Sequence, residues 1–185
     1  MFHLEKTYLT EFITIKEAHI MNYSIVYSSK TGNTQLLAKT IQNTLSNENC
    51  IYFGEPSDHA LDADLIFIGF WTDKGSCNEE IKFFLKTLQN KSVFLFGTAG
   101  FGGDPSYFDK ILHSVKKNIS SDNHIKGTYM CQGKMPASVK ERYVKMSNLP
   151  VPVPNIKKMI DNFDQALSHP DEKDLLQLKQ QICNL

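Results

Sequence analysis

The sequence has no net charge, few cysteines and no long hydrophobic run, and each deficit excludes a class of protein. Its 20 Lys and Arg residues balance 20 Asp and Glu residues, so no overall field favours a nucleic acid or a membrane surface as partner. The four cysteines are widely spaced and form no CxxC pair, which argues against a zinc site or a disulfide framework and fits a reducing compartment. No apolar run approaches the ~18 residues that a membrane-spanning helix needs.

The chain divides into a short leading segment and one long folded part. Residues 1–20 are predicted to be an N-terminal extension without a continuous apolar core, which argues against an ordinary signal peptide. Residues 21–185 are predicted to form a single domain with extra C-terminal helices, since a chain of 185 residues that is 41% hydrophobic can bury a full core. The protein is therefore expected in the cytoplasm.

Strand-like apolar runs alternate with helical patterns over most of this part. Strands are predicted, in chain order, at 23–27, 50–53, 64–71, 92–97 and 125–131. Apolar residues at helical spacing predict helices on either side of Pro170 and, earlier in the chain, at 34–46, 81–88 and 108–119. This alternation predicts an α/β three-layer sandwich with a five-stranded parallel sheet in the order 2-1-3-4-5.

A sheet of this order binds its ligand beyond the carboxyl ends of the strands, beside strands 1 and 3. The rule brings three loops around one site, at 28–34, 71–77 and 97–104. The motifs in these loops therefore decide what the protein binds.

The loop after the first strand is rich in hydrogen-bond donors and lies where a helix begins. Backbone N–H groups, the positive end of the helix dipole and hydroxyl groups suit a phosphate there. The loop lacks Gly-Lys-Ser/Thr, GxGxxG and the Cys and Arg of a phosphatase, so it is predicted to hold a phosphomonoester without cleaving it. A solvated turn with an Asn or Thr helix cap is the alternative. The predicted phosphate residues are Ser28, Ser29, Lys30, Thr31, Gly32, Asn33 and Thr34.

The loop after the third strand carries the only tryptophan of the chain, Trp71. At the mouth of the predicted site its flat ring is suited to stack on a flat heterocycle, and packing at the rim of the core is the alternative. The remaining predicted contacts of this loop are Thr72, Asp73 and Gly75.

Glycine dominates the loop after the fourth strand. Four glycines within residues 97–103 let the backbone approach a ligand closely, and an aromatic residue among them is suited to cover a second ring face. An ordinary glycine-rich turn before a helix capped by Asp104 is the alternative. The predicted contacts are Thr98, Ala99, Gly100, Phe101, Gly102 and Gly103.

The three loops together resemble those of the flavodoxin family. Ser29–Thr34 is similar to the Thr/Ser-x-Thr-Gly-Asn-Thr phosphate loop of flavodoxins, and the loops at 71–77 and 97–104 are similar to the two that flank the flavin. The resemblance implies a flavodoxin-like fold and one non-covalently bound FMN. The phosphate would lie on the first loop and the isoalloxazine ring between Trp71 and Phe101.

The resemblance also implies a function, the transfer of electrons through FMN to a redox partner protein. No side chain is placed as a general acid or base, which favours an electron carrier over a stand-alone enzyme. The six histidines are scattered and form no pair with metal-ligand spacing. Two alternatives share the fold: an NAD(P)H-dependent flavin or quinone reductase, and an electron-delivering partner subunit of a tetrapyrrole reductase. The 120–155 region bears on the choice, because it supplies or denies space over the flavin for a second planar ligand.

Two features depart from the usual family pattern. Flavodoxins are usually strongly acidic, whereas this chain is neutral, which leaves the kind of partner open. Flavodoxins also usually place a glycine directly after the first aromatic, because the peptide there turns on reduction and one of its states has positive φ. Here Thr72 takes that position and Gly75 is the nearest following glycine. The peptide that turns on reduction is therefore expected at one of these two residues.

Overall fold

The computed structural model describes residues 21–102 and 104–185, so the predicted N-terminal extension at 1–20 lies outside the described residues. The strands are β1 (Tyr23–Tyr27), β2 (Cys50–Gly54), β3 (Leu65–Asp73), β4 (Ser76–Cys77), β5 (Ser92–Ala99) and β6 (His124–Gln132). The helices are α1 (Asn33–Thr44), α2 (Glu79–Thr87), α3 (Pro105–Lys116), α4 (Ala137–Ser147), α5 (Ile156–Ala166) and α6 (Glu172–Cys183).

The predicted fold class is confirmed. Five parallel strands form a sheet in the order β2-β1-β3-β5-β6, which is the predicted order once the short β4 is counted separately. β4 adds a sixth strand that pairs antiparallel with the end of β3, a hairpin that the sequence patterns did not predict. Helix α4 was not predicted either, because Tyr143 is its one buried residue and the helix therefore lacks a clear apolar stripe.

Helices cover both faces of the sheet. On one face, α2 and α3 contribute Ile81, Leu85 and Val115 to a core with β3 and β5. On the other, α1 and α6 pack Leu37 and Leu178 against the same strands. No helix among the described residues is long and apolar enough to cross a membrane.

Phenylalanine faces glycine at three positions of the central sheet. Gly69 pairs with Phe96 and Phe70 pairs with Gly97 between β3 and β5, and Phe94 pairs with Gly127 between β5 and β6. A Cβ at Gly97 would lie 2.6 Å from the Phe70 ring, and one at Gly127 would lie 2.7 Å from the Phe94 ring. Each ring thus lies over the backbone of the neighbouring strand, which fixes the register of these strands.

Substitution of Gly69 by alanine should destabilise the fold, because the added Cβ overlaps the buried Phe96 ring and contacts Tyr27. We expect a loss of about 1–3 kcal/mol in the free energy of unfolding, measured by urea denaturation. Gly54→Ala on the edge strand β2 is the matched control. Its Cβ would lie 3.1 Å from the end of the Tyr52 side chain, which can move, so the loss of stability should be smaller. Equal losses for the two variants would contradict the register argument.

Candidate functional site

A cleft of about 470 Å³ lies at the carboxyl ends of β1, β3 and β5. Each of the three predicted loops contributes to it. A fourth wall comes from the segment between β6 and α4 and from α4 itself. The predicted residues that line the cleft are Lys30, Thr31, Asn33, Trp71, Thr72, Asp73, Gly75, Thr98, Ala99, Gly100 and Phe101.

The start of α1 offers backbone donors to this cleft. Gly32 precedes the helix with a left-handed φ of 84° and supplies no side-chain cap, while further along the first turn the Gln35 amide donates to Ser29 Oγ. A Cβ at Gly32 would meet nothing within 4 Å, so the backbone here is open to a ligand. The first backbone amides of the helix lie at its positive end, beside the hydroxyl of Thr31, and form a donor set that fits a phosphate.

Asn33 fastens this loop to the fourth wall. Its side chain is 5% exposed, and its Nδ2 donates to Thr31 Oγ1 at 2.8 Å and to the Lys134 carbonyl at 2.9 Å. Among the described residues its Oδ1 has no hydrogen-bond partner. A buried acceptor without a partner is costly, so a donor from a bound ligand would stabilise this position.

Three further residues of the predicted phosphate loop do not line the main cleft with their side chains. Ser28 Oγ donates to Glu80 at 2.8 Å, and Ser29 Oγ accepts from the Gln35 amide at 3.2 Å. Thr34 is buried, donates to the Phe70 carbonyl at 3.3 Å and shares a hydrogen bond with a threonine of β5. Their predicted contact with the phosphate stays a prediction.

A second cleft of about 460 Å³ adjoins the first and is mainly acidic. Three residues, Lys30, Trp71 and Asp73, line both clefts, and Lys30 Nζ lies 5.2 Å from the centre of the indole ring. The carboxylates that line the second cleft belong to Glu55, Asp73, Glu79 and Glu80.

The loop after β3 is a hairpin that leads into β4. Its tip has left-handed φ values of 47° at Lys74 and 79° at Gly75, whereas Thr72 lies in the strand and pairs with Cys77. Gly75 therefore occupies the turn position for which glycine is suited, and Thr72 does not. Thr72 lines the cleft, and among the described residues its buried Oγ1 has no hydrogen-bond partner.

The glycine-rich loop after β5 is held by the C-terminal part of the chain. The Gly100 carbonyl accepts from Gln132 Nε2 at 3.1 Å and from Asn162 Nδ2 at 2.9 Å. Phe101 is 37% exposed and meets Tyr107 edge to face, with ring centres 6.3 Å apart. Gly102 lies beside Gln132, and Gly103 lies outside the described residues.

The fourth wall was not predicted as part of the site. It contributes Gly133, Lys134, Met135, Pro136, Val139 and Arg142. Gly133 donates its amide to the Ala99 carbonyl at 2.9 Å, which places the wall against the third loop. The carboxyl-end rule applied to the fifth predicted strand would have pointed to this segment, since it directly follows β6.

The charges around the main cleft favour an anion. Four basic side chains, Lys30, Lys74, Lys134 and Arg142, line it against one carboxylate, Asp73. Burial, followed by the proximity of Tyr143, raises the pKa of Tyr107, so this phenol stays protonated at neutral pH. Cys77 lies in the core, where burial raises the pKa of its thiol, and this favours packing over a nucleophilic role.

Comparison with known proteins shows the family of this chain. Residues 24–183 match the family described as Flavodoxin domain. The chain is 38% identical over 172 residues to the flavodoxin-like domain-containing protein BilS of Clostridium symbiosum (strain WAL-14163), covering 84% of this chain and 90% of the relative. It is 35% identical over 159 residues to BilS of Clostridioides difficile (strain CD3), with the same coverage.

Among solved structures, a flavodoxin from the domain Archaea has 16% sequence identity to this chain and a TM-score of 0.46, covering 89% of this chain and 95% of the archaeal one. The family assignment does not depend on that likeness. It follows from the match over nearly all of the described residues and from the identity to the two clostridial relatives. This chain belongs to the flavodoxin family.

Proposed function

We propose that this protein is an electron carrier that holds one FMN in the main cleft and passes electrons to a redox partner enzyme. The predicted cofactor, FMN, is supported by membership of the flavodoxin family. When bound, FMN supplies the redox chemistry, and the residues of the chain bind it, orient it and set its electrostatic surroundings.

The observation that carries the proposal is the meeting of three separately predicted loops in one cleft. The start of α1, with Thr31 and Lys30, would hold the phosphate. Trp71 and Phe101 would flank the ring, and backbone groups of the second and third loops would meet its polar edge. The basic lining of the cleft favours the charge of the phosphate.

Binding should depend on the phosphate of FMN. Thr31→Ala should weaken FMN by about 1.5–3 kcal/mol, roughly 10- to 150-fold, because it removes a hydrogen bond to a charged group. Riboflavin, which has no phosphate, should bind far more weakly to the unaltered chain, and its affinity should change little in the Thr31→Ala variant. Affinities come from titration of the apoprotein with each flavin.

The control is Thr44→Ala, which makes the same substitution at the other end of α1, away from the cleft. There Thr44 Oγ1 donates to the Thr40 carbonyl at 2.7 Å. It should leave both affinities unchanged. Equal affinities of the unaltered chain for FMN and riboflavin would exclude the first loop as the phosphate site.

Trp71 should report directly on FMN binding, because it is the only tryptophan of the chain. We expect most of its fluorescence to be lost at saturation and Trp71→Ala to weaken FMN by about 1–3 kcal/mol, by analogy with base–aromatic stacking. Trp71→Phe keeps a flat ring and should retain most of the affinity. Unchanged tryptophan emission at saturating FMN would place this side chain away from the flavin.

The second candidate function is that of a stand-alone reductase. The basic residues of the fourth wall favour this function. Lys134 and Arg142 line the cleft and have the charge to attract the phosphates of NAD(P)H. A carrier and a reductase differ when NADPH is mixed anaerobically with the FMN-loaded protein. For a carrier we expect the visible absorbance of FMN to persist until a separate flavodoxin reductase is added, and rapid bleaching by NADPH alone would make the reductase the function.

The narrower role, a partner subunit that delivers electrons to a tetrapyrrole reductase, stays a prediction from the family resemblance. It requires a complex with such a reductase and FMN-dependent electron delivery to it. Co-expression of the two chains followed by affinity purification would test the complex, and a chain that never co-purifies with a reductase would exclude this role.

A further inference from the structure

The segment that forms the fourth wall continues into a strongly basic surface. Residues 134–158 contain six basic residues and one acidic residue, Glu141, a net charge of +5 in a chain whose total is 0. We call these six side chains the basic surface: Lys134, Lys140, Arg142, Lys145, Lys157 and Lys158.

Most of the basic surface has no ion-pair partner within the described residues. Lys140 pairs with Asp164 of α5, and the other five basic side chains are exposed without an ion pair in the described part of the chain. Asp161, also on α5, adds one more exposed carboxylate. Positive charge that is not neutralised within its own chain is available to another molecule.

An apolar groove is lined by two residues of the basic surface, Lys140 and Lys145. Ala137, Val144 and Phe163 line a groove of about 450 Å³ between α4 and α5, with charged residues at its edges. Val144 is 43% exposed, and Val151 in the connector after α4 is 75% exposed. An exposed apolar centre surrounded by charged side chains has the anatomy of a protein-protein interface.

Helix α4 joins this surface to the cofactor cleft. Val139 and Arg142 line the cleft, whereas Lys140, Val144 and Lys145 line the groove. A molecule docked in the groove would therefore lie one helix away from the cleft.

The other side of the cleft has the opposite charge, because the second cleft beside Trp71 is lined by four carboxylates. This separation of charge favours an acidic partner on the α4–α5 side and repels it from the other.

We propose that the basic surface and its groove are the docking site for the acidic face of a redox partner protein. The proposal rests on the proposed electron-carrier function and adds to it the side on which the partner binds and the charge of the partner. Electron-accepting proteins of known surface charge can test the proposal in place of the natural partner. A fully reduced cofactor reduces two ferric haems to ferrous, one electron each, and its two protons pass to solvent.

The probes are cytochrome b5, an acidic protein, and mitochondrial cytochrome c, a basic one. Dissociation constants for each, at low ionic strength, are measured by calorimetry with the FMN-loaded protein, and electron-transfer rates are measured by stopped flow. Lys145→Glu should weaken binding of cytochrome b5 by about three- to tenfold, and Lys157→Glu with Lys158→Glu by roughly tenfold or more. High salt should remove the differences, because charges on the surface are then screened.

The control variants carry the same charge reversals on lysines at the end of the sheet opposite the cleft. Lys116, like Lys145, is an exposed residue in the last turn of its helix, and Lys117 directly follows it. Lys116→Glu alone, and together with Lys117→Glu, should leave cytochrome b5 binding within about twofold of the unaltered protein.

Other outcomes overturn the proposal in distinguishable ways. Preference for cytochrome c, or equal effects of the Lys145 and Lys116 variants, would exclude the docking site while the carrier function stands. Binding to phosphatidylserine vesicles that Lys145→Glu abolishes, with both cytochromes unaffected, would assign the surface to a membrane instead. Failure of the reduced protein to transfer electrons to either cytochrome would contradict the proposed function itself, and the docking proposal with it.

Discussion

The pairing of β3 with a strand on each side is the constraint on which the site depends. Tyr27 of β1 lies opposite Gly69, and Trp71 lies opposite Thr98 of β5, so the carboxyl ends of the three strands lie at the same edge of the sheet. The Gly69–Phe96 contact leaves little room for a change of register. Because parallel strands in register release their loops at one edge, loops far apart in sequence form one cleft.

A few long-range hydrogen bonds then turn this cleft into a site with four walls. Asn33 ties the loop before α1 to Lys134, and Gly100 is tied to Asn162 of α5. The segment after β6 thus has two roles. It closes the cleft on one side and presents the basic surface on the other, so cofactor binding and partner docking would share one structural element.

The parts of the site that are local in sequence could be predicted, and the parts that depend on distant contacts could not. The loops around Gly32, Trp71 and Gly100 each carry their own motif beside a strand end. The fourth wall carries none, so its place after the last strand was its one signal, and its hydrogen bond to the first loop joins residues 101 positions apart in the chain. The orientation of Ser28 likewise depends on Glu80, 52 residues away. The neutral total charge also hid the separation of basic and acidic sides, since composition holds no positional information.

Titration of the apoprotein with FMN, followed by visible absorbance, tests the central claim most directly. If the three loops form one FMN site, transfer of the flavin from water into the cleft should change its absorption bands. The change should saturate sharply at one FMN per chain, and the complex should remain intact through gel filtration. An unperturbed flavin spectrum, with FMN and protein eluting separately, would contradict the account.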